Sequence, residues 1–445
     1  MEEGMEMQPA ATRIQRETNP ESRQSDDFWL RLDNAAKIYP AVQSEELTSV
    51  FRLSAVMKER IRIGPFLKAV NLLEQRFPYY KMKLHKGFFW YYLQYVDENM
   101  TVKPDGGAVC RSFEKQELLF RILVQGNKVS VEFSHILADG AGAFEFLKSL
   151  LMTYLETCDL IIPSKTAFHR PEEKPAEEEY EDAFSKYVQA NLPSPLKIPK
   201  SFHLPFDLRT IPRYRALSFL IPVGEIMTTA KTYGVTLTVY LVAVYLYALQ
   251  RISNNPTLSR KHMRRRIFRI QVPVNLRRMY PSKTMRNFTL FVTPEIDLRL
   301  GQYTFEEIIK TVYHHMQLET DRKLINKIIS RNVSAERNIL LKSTPLFIKS
   351  LILHFTYKIA GTSRYSGVIT NLGKASFGSG ADKHIDYLQF IPPPPNKTLK
   401  VNCGVIGFDS KLVLSFGNIT TSRELEREFI SVLTGDGVHV KHLDG

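Results

Sequence analysis

The sequence predicts an α/β protein of mixed sheets and helices that is divided into two lobes. Alternating apolar and polar residues, as in strands, are followed by apolar residues at three- and four-residue spacing, as in helices, and this succession occurs in both halves of the chain. At 445 residues the chain is also too long for one ordinary core. An acidic and proline-rich stretch near the middle is typical of an exposed connection. We therefore expect two folded units joined by a crossover.

Four segments follow from these patterns. Residues 1–27 are polar and lack the apolar core of a signal peptide, so we interpret them as a flexible arm. Residues 28–162 form the first lobe, residues 163–212 an exposed crossover linker, and residues 213–445 the second lobe. The linker is first acidic and then proline-rich, and burying such a stretch would be costly.

The first lobe combines a helix with two hairpins. The helix is indicated by the apolar positions Phe66, Val70, Leu73 and Phe77. The first hairpin joins two aromatic-rich runs through His85–Gly87, and the second joins two apolar runs through Gln125–Asn127. The strand after the second turn brings the chain to His135.

The second lobe opens with a strand and with two helical stretches separated at Gly234. Residues 235–249 are the longest uncharged apolar run, which is shorter than the roughly 20 residues that a bilayer span requires. They predict a buried helix, and no transmembrane segment is expected. Residues 343–360 predict another buried helix, and several strands and an amphipathic helix close the chain.

The charge of the chain limits its partners without identifying one. Lys and Arg number 60 and Asp and Glu number 46, which gives a formal net charge of +14. This excess favours nucleic acid, an anionic membrane, a phosphate-bearing cofactor or an acidic carrier protein. Nucleic acid ranks last among these partners, because no recognition motif accompanies the charge.

The cysteines and several missing motifs exclude some classes of protein. Cys110, Cys158 and Cys403 are odd in number and far apart, so they indicate neither a disulfide framework nor a zinc cluster, and a reducing, cytoplasmic setting is expected. The chain has no GxSxG nucleophile elbow and no GxxxxGK[ST] phosphate loop. Serine hydrolases of the α/β-hydrolase type and P-loop NTPases are therefore not indicated.

The most informative stretch is Val131–Gly142, VEFSHILADGAG, which places a histidine between a strand and a helix. Imidazole has a free pKa near ~6.5, so His135 is suited to act as a general base. Asp139 is suited to anchor the loop through a buried cation. A histidine that merely precedes a turn remains an alternative, whereas a metal half-site is disfavoured because other His or Cys ligands are not clustered nearby.

Ser134–Gly140 resembles the HxxxDG motif of the chloramphenicol acetyltransferase-like superfamily. That group includes coenzyme A-dependent alcohol acyltransferases, polyketide-associated acyltransferases, plant acyltransferases of the BAHD type and condensation domains of peptide synthetases. Two later segments, Pro273–Arg277 and Thr370–Gly373, resemble further landmarks of the superfamily in the expected order. The resemblance covers about residues 28–435.

This resemblance implies two lobes with an active-site tunnel between them. It implies that His135 is the general base, that Asp139 is structural and pairs with Arg277 across the lobes, and that Gly140 completes the motif. It also implies that Thr370 and Asn371 line the tunnel, where a donor stabilises the tetrahedral oxyanion. Acyl-coenzyme A is the implied donor and a small alcohol or amine the acceptor, with neither a permanently bound cofactor nor a metal.

Two departures from related groups narrow the resemblance. Condensation domains usually carry two histidines in this motif, whereas Ser134 occupies the first position here. The DFGWG pentapeptide of the plant enzymes is also missing. The sequence is therefore most similar to the microbial alcohol acyltransferase-like branch. A carrier-protein-dependent tailoring or condensation-type enzyme and a non-catalytic binding module with the same fold remain alternatives.

A basic cluster in the second lobe contains Arg264, Arg265 and Arg266. It is a candidate site for the phosphates of coenzyme A or for the acidic face of an acyl carrier protein. A solvated, charged turn before a strand explains the same residues.

Overall fold

The chain forms a two-lobed α/β fold with three sheets. The computed structural model describes residues 28–44, 47–115, 117–161, 168–188, 198–211, 213–255, 265–337, 343–356, 362–378 and 380–443. The predicted arm at residues 1–27 lies outside the described residues, as do residues 163–167, 189–197 and 212 of the predicted linker.

Sixteen strands are assigned within the described residues. In the first half they are β1 (Trp29–Arg31), β2 (Val50–Met57), β3 (Met82–Lys86), β4 (Tyr91–Tyr95), β5 (Val102–Pro104), β6 (Phe120–Gln125) and β7 (Lys128–Ser134). In the second half they are β8 (Arg215–Pro222), β9 (Ile267–Asn275), β10 (Thr289–Val292), β11 (Glu295–Asp297), β12 (Gly367–Ala375), β13 (Ile385–Ile391), β14 (Val401–Phe408), β15 (Lys411–Asn418) and β16 (Lys441–Leu443). Their alternation with helices matches the mixed α/β class that the sequence predicts.

Ten α-helices are assigned within the same ranges. They are α1 (Tyr39–Val42), α2 (Ile63–Leu73), α3 (Gly140–Thr157), α4 (Ala183–Lys186), α5 (Val223–Thr232), α6 (Leu237–Ser253), α7 (Phe305–Glu319), α8 (Arg322–Arg337), α9 (Leu346–Thr356) and α10 (Glu424–Gly435). No single helix among the described residues is long and apolar enough to cross a membrane, whereas α5 and α6 together meet that test but are bent by 81° at their junction.

Each lobe has its own large sheet, and one strand from the second half of the chain belongs to the sheet of the first lobe. The small sheet has the order β1–β4–β3, and the first lobe is built on the order β13–β2–β7–β6–β5. The second lobe has the order β10–β9–β12–β14–β15–β8–β16, with β11 also paired to β9. The hairpins predicted at His85–Gly87 and Gln125–Asn127 are confirmed as β3–β4 and β6–β7.

Strand β13 comes from the second half of the chain but belongs to the sheet of the first lobe. It pairs antiparallel with β2, with Leu388 opposite Ala55. Its buried residues Leu388 and Phe390 join the hydrophobic core of the first lobe. A division at residue 213 does not anticipate this exchange, because a strand pattern predicts a strand without naming its neighbour.

The two predicted buried helices differ in outcome. Helix α6 lies in the core of the second lobe and is buried on most of its circumference, as predicted. The prediction that residues 343–360 form a buried helix is wrong for the described part of that range, because Phe347 and Leu351 of α9 are 62% and 60% exposed; residues 357–360 lie outside the described residues. Apolar composition indicates that burial would stabilise a helix, but it does not show whether other elements of the fold cover both of its faces.

Part of the predicted exposed linker is buried. Glu179 lies in a one-turn 3-10 helix and is 4% exposed. Its two carboxylate oxygens accept hydrogen bonds from Nη1 and Nη2 of Arg76, each at 2.8 Å. The hydroxyl of Tyr79 donates to the same carboxylate at 2.7 Å. The negative charge is therefore neutralised where it is buried, and this segment is fixed to the first lobe.

Candidate active site

A cavity of about 920 Å³ lies between the two lobes. Predicted site residues that line it are His135, Asp139, Gly140, Arg277, Thr370 and Asn371. The first three come from the junction of β7 and α3, Arg277 follows β9, and the last two lie in β12. The fold thus gathers residues that are up to 236 positions apart in the sequence.

His135 lies immediately after β7 and its side chain is half-buried at the cavity wall. Its ring stacks on Tyr39, with centroids 5.5 Å apart, and contacts Phe51 at 4.6 Å. Burial lowers the pKa of His135 from its ordinary value, while the Asp139 carboxylate and the Asn287 side chain act in the opposite direction. A neutral imidazole that can accept a proton is the consequence.

Asp139 is the N-cap of α3 and connects the lobes. Its Oδ1 accepts the backbone N–H of Gly142 at 3.1 Å, which satisfies a donor at the helix start. Its Oδ2 accepts three donors from the other lobe, namely Arg277 Nη1 at 2.8 Å, Phe288 N at 2.8 Å and Thr289 Oγ1 at 3.1 Å. Burial raises the pKa of Asp139, but Arg277 and these hydrogen bonds outweigh it, so the pKa is lowered.

Arg277 is itself held in place around this ion pair. Its Nε donates to the carbonyl of Thr284 at 3.0 Å and its Nη2 donates to the carbonyl of Arg286 at 2.5 Å. Asn275 accepts from Nη1 at 3.3 Å. The guanidinium thus fixes the polar loop after β9 as well as the carboxylate of the other lobe.

Gly140 of the motif and Gly142 two residues later lie where the two lobes approach each other closely. A Cβ atom added at Gly142 would lie 2.3 Å from the carbonyl oxygen of Met285, and one added at Gly140 would lie 2.8 Å from Leu372. Both neighbours belong to the second lobe. A side chain at Gly142 would meet backbone and push the lobes apart, whereas the end of the flexible Leu372 side chain can move aside for one at Gly140.

Asn287 is a site residue that the sequence does not identify. Its Nδ2 donates to the carbonyl oxygen of His135 at 2.9 Å and to Oδ2 of Asp33 at 3.0 Å. Asp33 is fully buried, and burial raises its pKa to about 6. Its other oxygen accepts the N–H of Ala36 at 2.8 Å. Asn287 and Asp33 lie in loops that carry no sequence motif, so only the structure shows that they support His135.

Ser49 also supports the histidine without a sequence signal. Its carbonyl accepts the backbone N–H of His135 at 2.9 Å. Its φ of 53° places a non-glycine residue in the left-handed region, which is uncommon outside functional sites and turns. Both backbone polar groups of His135 are thus hydrogen-bonded, the N–H to Ser49 and the carbonyl to Asn287.

The two predicted oxyanion residues differ in their surroundings. Both line the cavity. The amide nitrogen of Asn371 donates to the hydroxyl of Thr238 at 3.0 Å, and its oxygen accepts the N–H of Gly373 at 2.8 Å. Both polar groups of the Asn371 side chain are therefore already hydrogen-bonded within the second lobe.

The described part of the predicted basic cluster does not line the cavity. Arg264 lies outside the described residues, and neither Arg265 nor Arg266 lines the cavity. Arg265 is exposed, with its Nη1 2.9 Å from Nδ1 of His203. The exposed cations that do line the cavity are Arg278, Lys283 and Lys374.

Comparisons by sequence and by structure give different results. No protein-family model matches the chain, and no curated protein matches it by sequence. Polyketide synthase associated protein 5 from Mycobacterium tuberculosis is similar in structure, with a TM-score of 0.56 and 12% identity over 91% of this chain and 97% of that one.

Two further solved structures show the same fold. One is TRI101 of F. sporotrichioides complexed with coenzyme A and T-2, with a TM-score of 0.60 and 9% identity over 94% of this chain and 100% of that one. The other is the epimerization domain of tyrocidine synthetase B, with a TM-score of 0.54 and 12% identity over 88% of this chain and 91% of that one. The resemblance inferred from the HxxxDG motif is thus confirmed for the fold, and the chain has the two-lobed chloramphenicol acetyltransferase-like fold.

Proposed function

We propose that the protein transfers an acyl group from acyl-coenzyme A to an alcohol or amine acceptor, with His135 as the general base. The observation that carries this proposal is the position of His135. It lies at the wall of a cavity between two lobes, and burial lowers its pKa so that the ring is neutral at working pH. The similarity of the fold to that of acetyltransferases supports the same reaction class.

The reaction requires one base and one oxyanion donor. The neutral imidazole of His135 accepts the proton of the acceptor's hydroxyl or amine as that atom attacks the thioester carbonyl. The resulting tetrahedral oxyanion accepts a hydrogen bond from the hydroxyl of Thr370. The C–S bond then breaks, and the imidazolium returns the proton to the thiolate of coenzyme A. No covalent acyl-enzyme is required.

Asp139 has a structural part in this scheme. Both of its carboxylate oxygens already accept donors, and its Oδ2 accepts three. Its lowered pKa keeps it ionised while the reaction proceeds. Asp139 therefore fixes the position of the loop that carries His135 and takes no proton itself.

The cavity offers a place for the phosphates of coenzyme A. Arg278, Lys283 and Lys374 are exposed at the cavity. A Cβ atom added at Gly373 would lie 3.3 Å from Arg278 Nη2, so Arg278 lies beside the segment that carries Lys374. We assign the phosphate site to these three cations in place of Arg265 and Arg266, while Arg264, the third residue that the sequence suggests, lies outside the described residues.

The direct test mixes purified protein with acetyl- and longer acyl-coenzyme A and a panel of alcohols and amines, with thiol release as the readout. We expect release that depends on the acceptor and that falls about 10²- to 10⁴-fold in His135→Ala. Equal release by His135→Ala would contradict the proposed base. Binding of coenzyme A without any release would instead indicate a non-catalytic binding module.

A carrier-protein-bound donor is the second candidate, because the net charge of +14 suits an acidic carrier as well as it suits the phosphates of coenzyme A. If the carrier docks on the basic cluster, Arg265→Glu with Arg266→Glu weakens transfer from a carrier-bound donor and leaves free acyl-coenzyme A unaffected. Arg278→Glu is the matched variant, which weakens both donors because both carry a phosphopantetheine arm. Donor binding would also fall steeply with salt.

A further inference from the structure

Helix α9 reverses the usual arrangement of a surface helix. The side chains on its inner face are Leu346, Lys349 and Ser350, which border a small gap with Lys37, Ala41 and Trp90. The side chains on its outer face are Phe347, Ile348, Leu351 and Ile352, and they are 62%, 38%, 60% and 54% exposed. A surface helix normally buries its apolar stripe and turns polar residues to water. The outer face of α9 is therefore suited to an apolar environment.

The turn between β3 and β4 extends this surface. Phe88 and Phe89 are 72% and 43% exposed, and their rings are 4.8 Å apart. The backbone N–H of Leu346 donates to the carbonyl of Phe88 at 2.9 Å, and Lys349 Nζ donates to the carbonyl of Phe89 at 3.2 Å. The turn and the start of α9 are thus joined. We call the surface formed by Phe88, Phe89, Phe347, Ile348, Leu351 and Ile352 the apolar patch.

The two chain segments that carry the apolar patch contain basic residues and no acidic ones. Residues 77–96, which hold the β3–β4 hairpin, contain no Asp or Glu, and neither do residues 338–367, which hold α9. Lys83 pairs with Glu98, whereas His85 and Lys86 are exposed beside Phe88. An anionic surface complements this combination of apolar and basic side chains.

The apolar patch lies near the cavity. Ala41 of α1 borders the inner face of α9, while Tyr39 and Val42 of the same helix line the cavity. Tyr39 stacks on His135. Helix α1 therefore separates the patch from the candidate base, and a docked surface would lie on the outer side of this wall.

We propose that the apolar patch docks the protein on an anionic lipid surface. An anionic lipid surface accounts for both the apolar and the basic side chains. The apolar side chains would enter the acyl region, and lysine would pair with the anionic head groups. A second copy of the chain fits less well, since two identical patches would bring their basic surroundings together. The proposal is independent of the proposed acyl transfer.

Vesicle flotation with the full chain tests this proposal. One set of vesicles contains phosphatidylcholine alone, and the other adds about 30 mol % phosphatidylglycerol. We expect binding to the anionic vesicles, at least about tenfold weaker binding for Phe347→Ser with Leu351→Ser, and about fivefold weaker binding for Lys86→Glu. The matched control is Leu67→Ser with Leu300→Ser, which removes two exposed leucines elsewhere and keeps wild-type binding.

Three results would overturn the proposal. The first is absence of wild-type binding to anionic vesicles, and the second is equal binding by the Phe347→Ser/Leu351→Ser variant with unchanged thermal unfolding. The third is a wild-type dimer in light scattering that the same variant converts to a monomer, which would make a second copy the occupant. Substitution at the outer face of α9 removes exposed side chains, so the variant is expected to fold.

Discussion

The amide nitrogen of Asn287 donates to the carbonyl oxygen of His135 at 2.9 Å and to the buried carboxylate of Asp33 at 3.0 Å. Asp33 precedes α1, His135 follows β7, and Asn287 precedes β10 of the second lobe. One side chain thus joins three separate segments directly at the candidate base. Because the main chain of His135 is fixed, its ring has a defined position in the cavity.

Removing this connection should affect the base more than the binding of the donor. For Asn287→Ala we expect kcat to fall about 10- to 100-fold with little change in KM for acyl-coenzyme A, because the amide acts on the main chain of the histidine. Asn287 also raises the pKa of His135, so the acidic limb of the rate profile should move to lower pH. Steady-state kinetics between pH 5 and pH 8 measure both effects.

The matched control for this variant is Asn254→Ala, which removes an exposed amide that pairs with Gln302. It should leave kcat, KM and the pH profile unchanged. If kcat fell in Asn287→Ala while the acidic limb of the pH–rate profile stayed in place, Asn287 would support the fold without affecting the pKa of His135.

Replacing the interlobe carboxylate should destabilise the protein. In Asp139→Asn one carboxylate oxygen becomes an amide N–H₂, which must face either Gly142 N–H or the three donors at Oδ2. Arg277 is left largely buried without its counter-charge, so we expect a loss of about 3 kcal/mol in the free energy of unfolding. Urea denaturation measures it. Glu98→Gln, at a more exposed ion pair with Lys83, should cost less than about 1 kcal/mol.

Removing the imidazole should leave the fold intact. His135 lines a cavity and is only half-buried, so His135→Ala creates little new void and should keep the wild-type denaturation midpoint. Thiol release should fall about 10²- to 10⁴-fold. His85→Ala, at an exposed histidine of the β3–β4 hairpin, is the matched control and should keep full activity. An unfolded His135→Ala protein would indicate that the histidine is structural.

The pH dependence of turnover should show the lowered pKa of the base. Burial favours the neutral imidazole, so His135 stays unprotonated to a lower pH than free histidine does. We expect kcat/KM to be constant near neutrality and to fall only below about pH 6.5, the ordinary value for histidine. A profile whose acidic limb lies above that value would contradict this assignment.

The contact between the lobes at Gly142 should not tolerate a side chain. Gly142→Ala places a Cβ 2.3 Å from the carbonyl oxygen of Met285, so the lobes must shift, and we expect a loss of about 1–3 kcal/mol in stability. Gly224→Ala is the matched control, because it lies in helix α5 with no atom within 4 Å of the added Cβ. Thermal unfolding of both variants gives the comparison.

Several features could be read from the sequence because they depend on neighbouring residues. The β6–β7 hairpin follows from alternation around Gln125–Asn127, and α3 follows from the three- and four-residue spacing of its apolar residues. His135 was identified because a polar residue stands where a strand ends and a glycine-rich turn begins. Local spacing carries this information, since strands and helices repeat every two and 3.6 residues.

Other features were decided only by contacts between distant segments. Spacing gives no sign that Asn287 and Asp33 meet His135, that β13 joins the sheet of β2, or that Glu179 is buried against Arg76. The energy of a buried polar or charged side chain depends on which partner the fold brings to it, and a strand pattern does not name the strand that pairs with it. Periodicity determined the helices and strands of this protein, and the order of neighbouring residues determined its motif. The tertiary structure decided which side chains support His135 and which apolar helix faces remain exposed to water.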